Sequence, residues 1–504
     1  MCFRNVYSQL SACNAAHSNF PAWQGFADGE PSEADWTRLE KYATLVREVQ
    51  FCYVGSDERK VWELIFNRYH TAASFLPRLT ALETLRVTPT DALFDLPLLL
   101  PTLRHLCIKL DTSGPLTPTD GGSLMTTALE RVATEIPSLL SLRISTAPQE
   151  ANILWKMAPF RALHRLDITE DFIVHANILA AIGQFHDLRV LSIGISNDCT
   201  YLQGCLQALV ELHIGGSASH IKSFLTATSP PLLRRLSLRF SRDPITDLLM
   251  QCLSSISTSV PLTLSALTLD SALAFTPPLT SVLDLVQPAL AFRALSEFTF
   301  TFRPLPSISD ADILTMLAAW PTLTTLRIEH DHIFIHPSPG PVRPTALLFP
   351  SIATGYPHLD TLELPEVDLT ATPALDALPW PSPRGHDLRA LDMARELDFR
   401  GIGNVSGNRT DKHACMRAAV MLDRLFPRME LPCMLRGGTR DDGEEKGWAA
   451  VVRLLHAMHA GRAHGDAFER LECGKDGDGD GTDESGDGDD DDEEEDEDED
   501  MGVE

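Results

Sequence analysis

No apolar run in this sequence is long enough to cross a bilayer; the longest, around LFDLPLLLPTL, is short and interrupted by proline. The opening MCFRNVYSQLSACNAAHSNF has no basic stretch leading into an apolar one, so it does not read as a secretory leader. The ten cysteines, at 2, 13, 52, 107, 199, 205, 252, 415, 433 and 473, form no CxxC pair and no regular ladder. That scatter excludes a disulfide scaffold and a zinc knuckle, and fits a reducing compartment, cytoplasmic or nuclear. On this reading the sequons at Asn404 and Asn408 are chance matches. Catalytic signatures are missing as well: there is no nucleophile elbow, P-loop, dinucleotide-binding loop or HExxH, and GNVSG at 403–407 has its serine out of place. The expectation is a chain that is not an enzyme and carries no cofactor.

Positive charge is also scarce. Of the net −28, residues 475–504 contribute −18, with 19 Asp or Glu against one Lys, which leaves −10 for the other 474 residues. The acidity belongs to a tail, and the body offers no basic excess for direct nucleic-acid binding.

What the sequence does have is one recurring phrase, and its copies, aligned on Leu-x-x-Leu-x-(Ile/Leu/Val), begin at Leu82, Leu103, Leu139, Leu163, Leu188, Leu209, Leu233, Leu264, Leu295, Leu323, Leu359 and Leu388. Seven of the eleven gaps lie between 21 and 29 residues, the spacing of leucine-rich repeats. Degenerate copies extend the array as VREVQF from Val46 and FPRMEL from Phe426. Each phrase is a short strand whose alternate residues enter a shared core, which only stacked neighbours can close. Helical spacing fills the gaps in GGSLMTTALERVATEIP, ANILAAIGQF, ITDLLMQCLSSIS and ISDADILTMLAAW. The predicted fold is therefore an α/β irregular leucine-rich-repeat solenoid, with parallel strands on the concave face and helices on the convex face. The repeat's usual asparagine is absent: in seven of the twelve copies its position holds Thr90, Asp111, Asp171, Ser196, Ser217, Ser241 or Asp331, short side chains able to satisfy turn backbone groups.

This register aims a middle row outward: Arg86, Cys107, Arg143, Asp167, Ser192, His213, Ser237, Thr268, Thr299, Arg327, Glu363 and Asp392. The row before it adds His105, Arg165, Glu211, Arg235 and Glu297, and the row after it Lys109, Arg239 and Glu329. Basic residues dominate the first half and acidic ones appear toward the end, a gradient suited to a protein ligand of matching charge. Polar side chains simply wetted by solvent are the competing reading. Trp380, between prolines in the rim loop PALDALPWPSP, joins the candidate partner-binding residues.

The stretch EADWTRLEKYATLVREVQF, Glu33 to Phe51, adds a family resemblance. Asp35, Trp36, Arg38, Leu39, Tyr42, Ala43, Val46, Arg47 and Val49 match the D-W-x-R-(L/F)-x-x-Y-A-x-x-V-R-x-(L/V) stretch that opens the repeat region of fungal F-box proteins, and residues 33–435 resemble that region. The resemblance implies substrate recognition for a cullin-RING ubiquitin ligase, with a Skp-type adaptor as partner if an F-box lies upstream. Residues 1–32 contain no recognisable F-box, so a free-standing repeat scaffold stays open as the alternative. The expected organisation is that N-terminal segment, the solenoid over 33–435, a loop and capping helix over 436–472, and a disordered acidic tail over 473–504.

Two further clusters contain metal-ligand residue types. Asp476, Asp478, Asp480 and Gly481 open like an EF-hand calcium loop, but Asp483 and Asp487 stand where an apolar residue and a bidentate Glu belong, so the run reads as solvated acid. It is either a solubilising tail or an arm for basic proteins. His456, His459 and His464 lie in or just after a helix predicted to end at Gly461, and they lack the cysteine or carboxylate neighbours a metal would need.

Overall fold

A computed structural model describes residues 31–49, 64–65, 67–69, 75–87, 99–110, 118–145, 160–169, 173–174, 176–195, 202–242, 246–271, 281–302, 307–330, 342–365, 367–368, 386, 388–393, 412–430 and 447–473. Among them, strands β1 (Glu48–Val49), β2 (Ala81–Val87), β3 (His105–Leu110), β4 (Ser141–Ser145), β5 (Arg165–Ile168), β6 (Ile173–Val174), β7 (Val190–Ile195), β8 (Glu211–Ser217), β9 (Arg235–Arg242), β10 (Ala266–Ser271), β11 (Glu297–Phe302), β12 (Thr325–His330), β13 (Thr361–Leu364) and β14 (Ala390–Met393) form one sheet. Thirteen of them follow chain order from β1 to β14, and β6 pairs with β7 off that path. Every pairing is parallel and the sheet does not close on itself. The chain is an open α/β leucine-rich-repeat solenoid.

A backbone relay sets the repeat. The N–H of the leading leucine donates to the carbonyl three residues earlier, as Leu103 does to Leu100 and Leu295 to Phe292, except at Leu388, whose N–H donates to the His386 Nδ1 at 2.9 Å. The next two N–H groups then converge on one carbonyl of the preceding repeat: Arg104 and His105 on Thr80, Leu140 and Ser141 on Arg104, and so on to Arg389 and Ala390 on Asp360. Polar backbone that would be orphaned at a strand entry is thus satisfied by the neighbouring coil.

The same relay corrects both ends of the repeat reading. Leu79 bonds to Leu76, and Thr80 and Ala81 share the Arg47 carbonyl, so the first full copy begins at Leu79 rather than Leu82. A register irregularity between Leu82 and Leu85 absorbs the difference and brings Arg86 opposite Lys109, one row beyond the row assigned to it. At the other end Met429 bonds to Phe426 and Glu430 to Arg389, which moves the last copy from Phe426 to Met429. The N-terminal copy at Val46 stands as read, with Val46 bonded to Ala43.

Helices cover the other face: α1 (Glu33–Ala43), α2 (Pro118–Glu135), α3 (Ala176–Ile182), α4 (Ala218–Thr228), α5 (Thr246–Ser259), α6 (Val282–Val286), α7 (Asp310–Ala319), α8 (Leu348–Gly355), α9 (Lys412–Leu425) and α10 (Gly447–Cys473). The four helices expected from spacing are α2, α3, α5 and α7. Their apolar stripes are buried; in α2 these are Met125, Ala128, Leu129 and Val132. Serine caps start several helices: Ser309 and Asp312 form a reciprocal capping box on α7, and Ser217, at the repeat's vacant asparagine position, accepts from the His220 N–H to open α4.

Where β11 carries Phe298 and Phe300 in place of aliphatic residues, Trp320 packs 4.7 Å from the Phe298 ring and its indole N–H donates to the Ala289 carbonyl at 3.2 Å, tying neighbouring repeats together. At the N-terminal end, Trp36 of α1 is buried against Tyr69, and Arg68 lies 4.8 Å over its ring while holding Glu33 through both guanidinium nitrogens. The tryptophan of the family-like stretch is thus an end-cap core residue. In the C-terminal cap α10 continues through Gly461 to Cys473, past the predicted stop. No described helix is long and apolar enough to cross a membrane.

Candidate functional site

Parallel in-register stacking converts a pattern repeated along the chain into stripes across the sheet. The inward stripe Leu106, Leu142, Leu166, Leu191, Leu212, Leu236, Leu267, Phe298, Leu326, Leu362 and Leu391 is buried throughout. The intervening row runs Cys107, Arg143, Asp167, Ser192, His213, Ser237, Thr268, Thr299, Arg327, Glu363 and Asp392 on the opposite, concave face, matching the expected register from β3 onward.

The candidate charges on this face are largely engaged with one another. On β4 and β5, Arg143 Nη2 and Arg165 Nε donate to the same oxygen of Asp167, at 3.3 and 2.8 Å. Asp167 is only 8% exposed, and its other oxygen, Oδ1, is buried without a hydrogen-bond partner among the described residues. Beside it, burial pushes the Cys107 thiol pKa up against the opposing pull of Arg143. Lys109 is exposed and has no ion-pair partner among the described residues.

Farther along, Glu211 meets His213 at 2.8 Å on β8. Arg235 reaches across β10 to grip the Glu297 carboxylate with both terminal nitrogens, at 3.2 and 2.8 Å. The residue between them in register is Ala266, whose methyl leaves the span open. Arg239 pairs with Asp270 at 3.4 Å, Arg327 with Glu363 at 3.6 Å, and the Thr301 hydroxyl donates to Glu329 at 3.3 Å. Sequence reading placed Arg239 in its row but missed Asp270; the signal was the matching row position one repeat later.

Pairing does not cancel the gradient. On β3–β5 three cations, Lys109, Arg143 and Arg165, share the face with one carboxylate, Asp167. On β10–β13 one cation, Arg327, sits among Asp270, Glu297, Glu329 and Glu363. The described face is therefore positive toward its N-terminal end and negative toward its C-terminal end. The side chains of Arg86 and Asp392 lie outside the described residues, as does Trp380 altogether.

The helical histidine has a structural neighbour instead of a metal-type set. His459 Nε2 lies 3.3 Å from Asp423 Oδ1 on α9, and Arg462 bonds the other carboxylate oxygen. Burial and Arg462 lower the His459 pKa, with Asp423 opposing them. Among the described residues no group of three His, Cys, Asp or Glu could hold a metal ion. The calcium-like run at 476–487, the remaining tail and the His464 side chain lie outside the described residues.

Protein-family models and curated protein sequences give no match to this chain. Similar solved structures include an internalin (inlF) from Listeria monocytogenes, 14% identical, covering 71% of this chain and 89% of that one with a TM-score of 0.35. A second is the yeast Rad7 and Elc1 complex, 15% identical, covering 68% and 94% with a TM-score of 0.31. The leucine-rich-repeat ectodomain of the Arabidopsis thaliana receptor kinase GASSHO1/SCHENGEN3 is 11% identical, covering 64% and 46% with a TM-score of 0.16.

Proposed function

We propose that this chain is a protein-binding module that receives a protein ligand on the concave face of its sheet. The observation that carries this reading is the row of polar side chains on that face, with charged residues from Arg143 to Glu363 paired to neighbours and graded in charge. Solvent-exposed pairs of this kind contribute only ~0–1 kcal/mol each to stability, so their larger effect is to fix side-chain geometry before a ligand arrives. The test is affinity capture with the full chain, comparing the parent with a variant carrying Arg143→Glu, Arg235→Glu and Arg327→Glu. Proteins lost from the variant but kept by an Arg131→Glu control on α2 support the reading. Identical recovery from all three chains refutes it.

The more specific reading is substrate recognition for a cullin-RING ubiquitin ligase in the cytoplasm or nucleus, with no catalysis in this chain. It rests on the Asp35–Val49 resemblance to fungal F-box proteins. Copurification of the product of the full transcript with a Skp-type adaptor tests it, and failure to copurify leaves the free-standing scaffold. A role for the acidic tail as an arm for basic proteins is a separate proposal, checked by retention of histones on an immobilised 475–504 peptide.

A further inference from the structure

We infer that the chain's own acidic segment, residues 475–504, docks on the positive end of the concave face, around Lys109, Arg143 and Arg165. This does not depend on which protein the face receives as ligand. Charge selects the place. The segment carries −18, and on β10–β13, once Asp270 and Glu297 are matched by Arg239 and Arg235 of β9, Glu329 and Glu363 still outnumber Arg327, so this part of the face does not attract it. Positive charge exceeds its paired carboxylates on β3–β5, with Arg143 and Arg165 half exposed and Lys109 exposed, whereas Arg235 and Arg239 on β9 each have a carboxylate of their own, Glu297 and Asp270. Asp167 does not neutralise this cluster. It is one carboxylate shared by two guanidinium groups, it is itself buried, and it engages only Nη2 of Arg143 and Nε of Arg165, while both arginine side chains stay about half exposed.

Length permits the contact. From β3, which carries Lys109, to β14 the sheet advances ten strands, about 48 Å at ~4.8 Å per step, and α9 and α10 add ~20 Å at a helix diameter of ~10 Å each. Beyond Cys473 there are 31 residues, which span ~100 Å when fully extended. A neutral coil of that length averages ~30 Å, and self-repulsion lengthens a polyanion beyond this. Tethering holds the segment at an effective concentration of about a millimolar, enough for a contact that would be weak between separate molecules. An acidic ligand on the same strands would have to displace it.

Lys109 makes the contact readable, because a zero-length carbodiimide joins its amine to a touching carboxylate in the full chain. Cross-links from Lys109 to Asp or Glu within 476–504 are expected at low salt, where charges act over ~30 Å, and their loss is expected near 1 M salt, where the range is ~3 Å. Lys222 on α4 and Lys41 on α1 serve as controls away from the face. Replacing Arg143 and Arg165 with Gln together, leaving Lys109 as the reporter, is expected to lower the Lys109 yield about tenfold. Equal cross-linking of the tail to Lys109, Lys222 and Lys41 at low salt overturns the inference, as does a yield that falls on dilution, which would assign the contact to a second copy. The parent chain's salt response and dilution series decide the matter even if the double variant does not fold.

Discussion

Replacing Asp167 with Asn separates stability from surface charge on this face. The carboxylate takes Arg165 Nε at 2.8 Å and Arg143 Nη2 at 3.3 Å, and an amide oxygen in the same place keeps both acceptor contacts while losing the charge. An amide acceptor removes the ion–ion part of each bond while the guanidinium donor keeps its charge, so the loss is only part of the ~1.5–3 kcal/mol of a charge-assisted bond, nominally ~1 kcal/mol each and ~2 kcal/mol for two. Both arginines are about half exposed, with side-chain exposures of 58% and 42%, and solvent screening reduces that to about 1 kcal/mol. The burial of Oδ1 without a partner reduces it further, since the carboxylate is itself imperfectly satisfied in the native state. Urea unfolding of the parent, Asp167→Asn, Arg165→Gln and the double variant gives the coupling directly. A coupling of about 0.5–1 kcal/mol is expected for Arg165, and a smaller one for the longer, more exposed Arg143 contact. Additive losses with no coupling would refute the assignment of Asp167 as the residue that holds these arginines. The same substitution raises the positive charge of β3–β5, so tail cross-linking to Lys109 should rise while stability falls.

Other expectations concern the core and caps. Trp320→Ala removes a fully buried ring and its bond to Ala289, and calorimetry or urea titration should show a loss of ~3–5 kcal/mol; a loss below about 1 kcal/mol would contradict the packing described. Gly216→Ala places a methyl 2.6 Å from the Ile195 carbonyl oxygen at φ +157, and a cost of ~1–3 kcal/mol is expected in the same assay, against no change if β7 and β8 were not paired there. Cys252 is fully buried and burial pushes its thiol up to about 12, so native-state alkylation at mildly alkaline pH should spare it and unfolding in urea should expose it; fast native labelling would exclude the buried placement. For His459 the folded pKa lies below the ordinary 6.5, so the unfolded chain takes up the proton first. Its stabilisation is complete above that value and declines as pH falls through it toward the lowered one. Hydrogen exchange in α9 and α10 should quicken over that window, and His459→Gln should flatten the dependence; an unchanged profile would place the acid response elsewhere.

The leucine phrase by itself determined the fold class, the parallel order of the strands and the outward row from Cys107 to Asp392. A two-residue alternation inside a repeat of twenty to thirty residues has only one way to bury its leucines. Four of the helices, α2, α3, α5 and α7, were legible in apolar spacing. Tertiary structure alone decided where the array begins and ends. The Leu79, Leu82 and Leu85 series satisfies the phrase in two registers three residues apart, and only the bonds of Thr80 and Ala81 to Arg47 choose between them. It also decided how the charges on the face behave. Sequence rows showed an Arg-rich half and a Glu-containing half, but Arg235 finds Glu297 only because β10 sets Ala266 between them, and Arg239 finds Asp270 only because their strands are neighbours. Such pairs join residues one or two repeats apart in the chain, and their distances depend on register and side-chain reach, which no local pattern encodes.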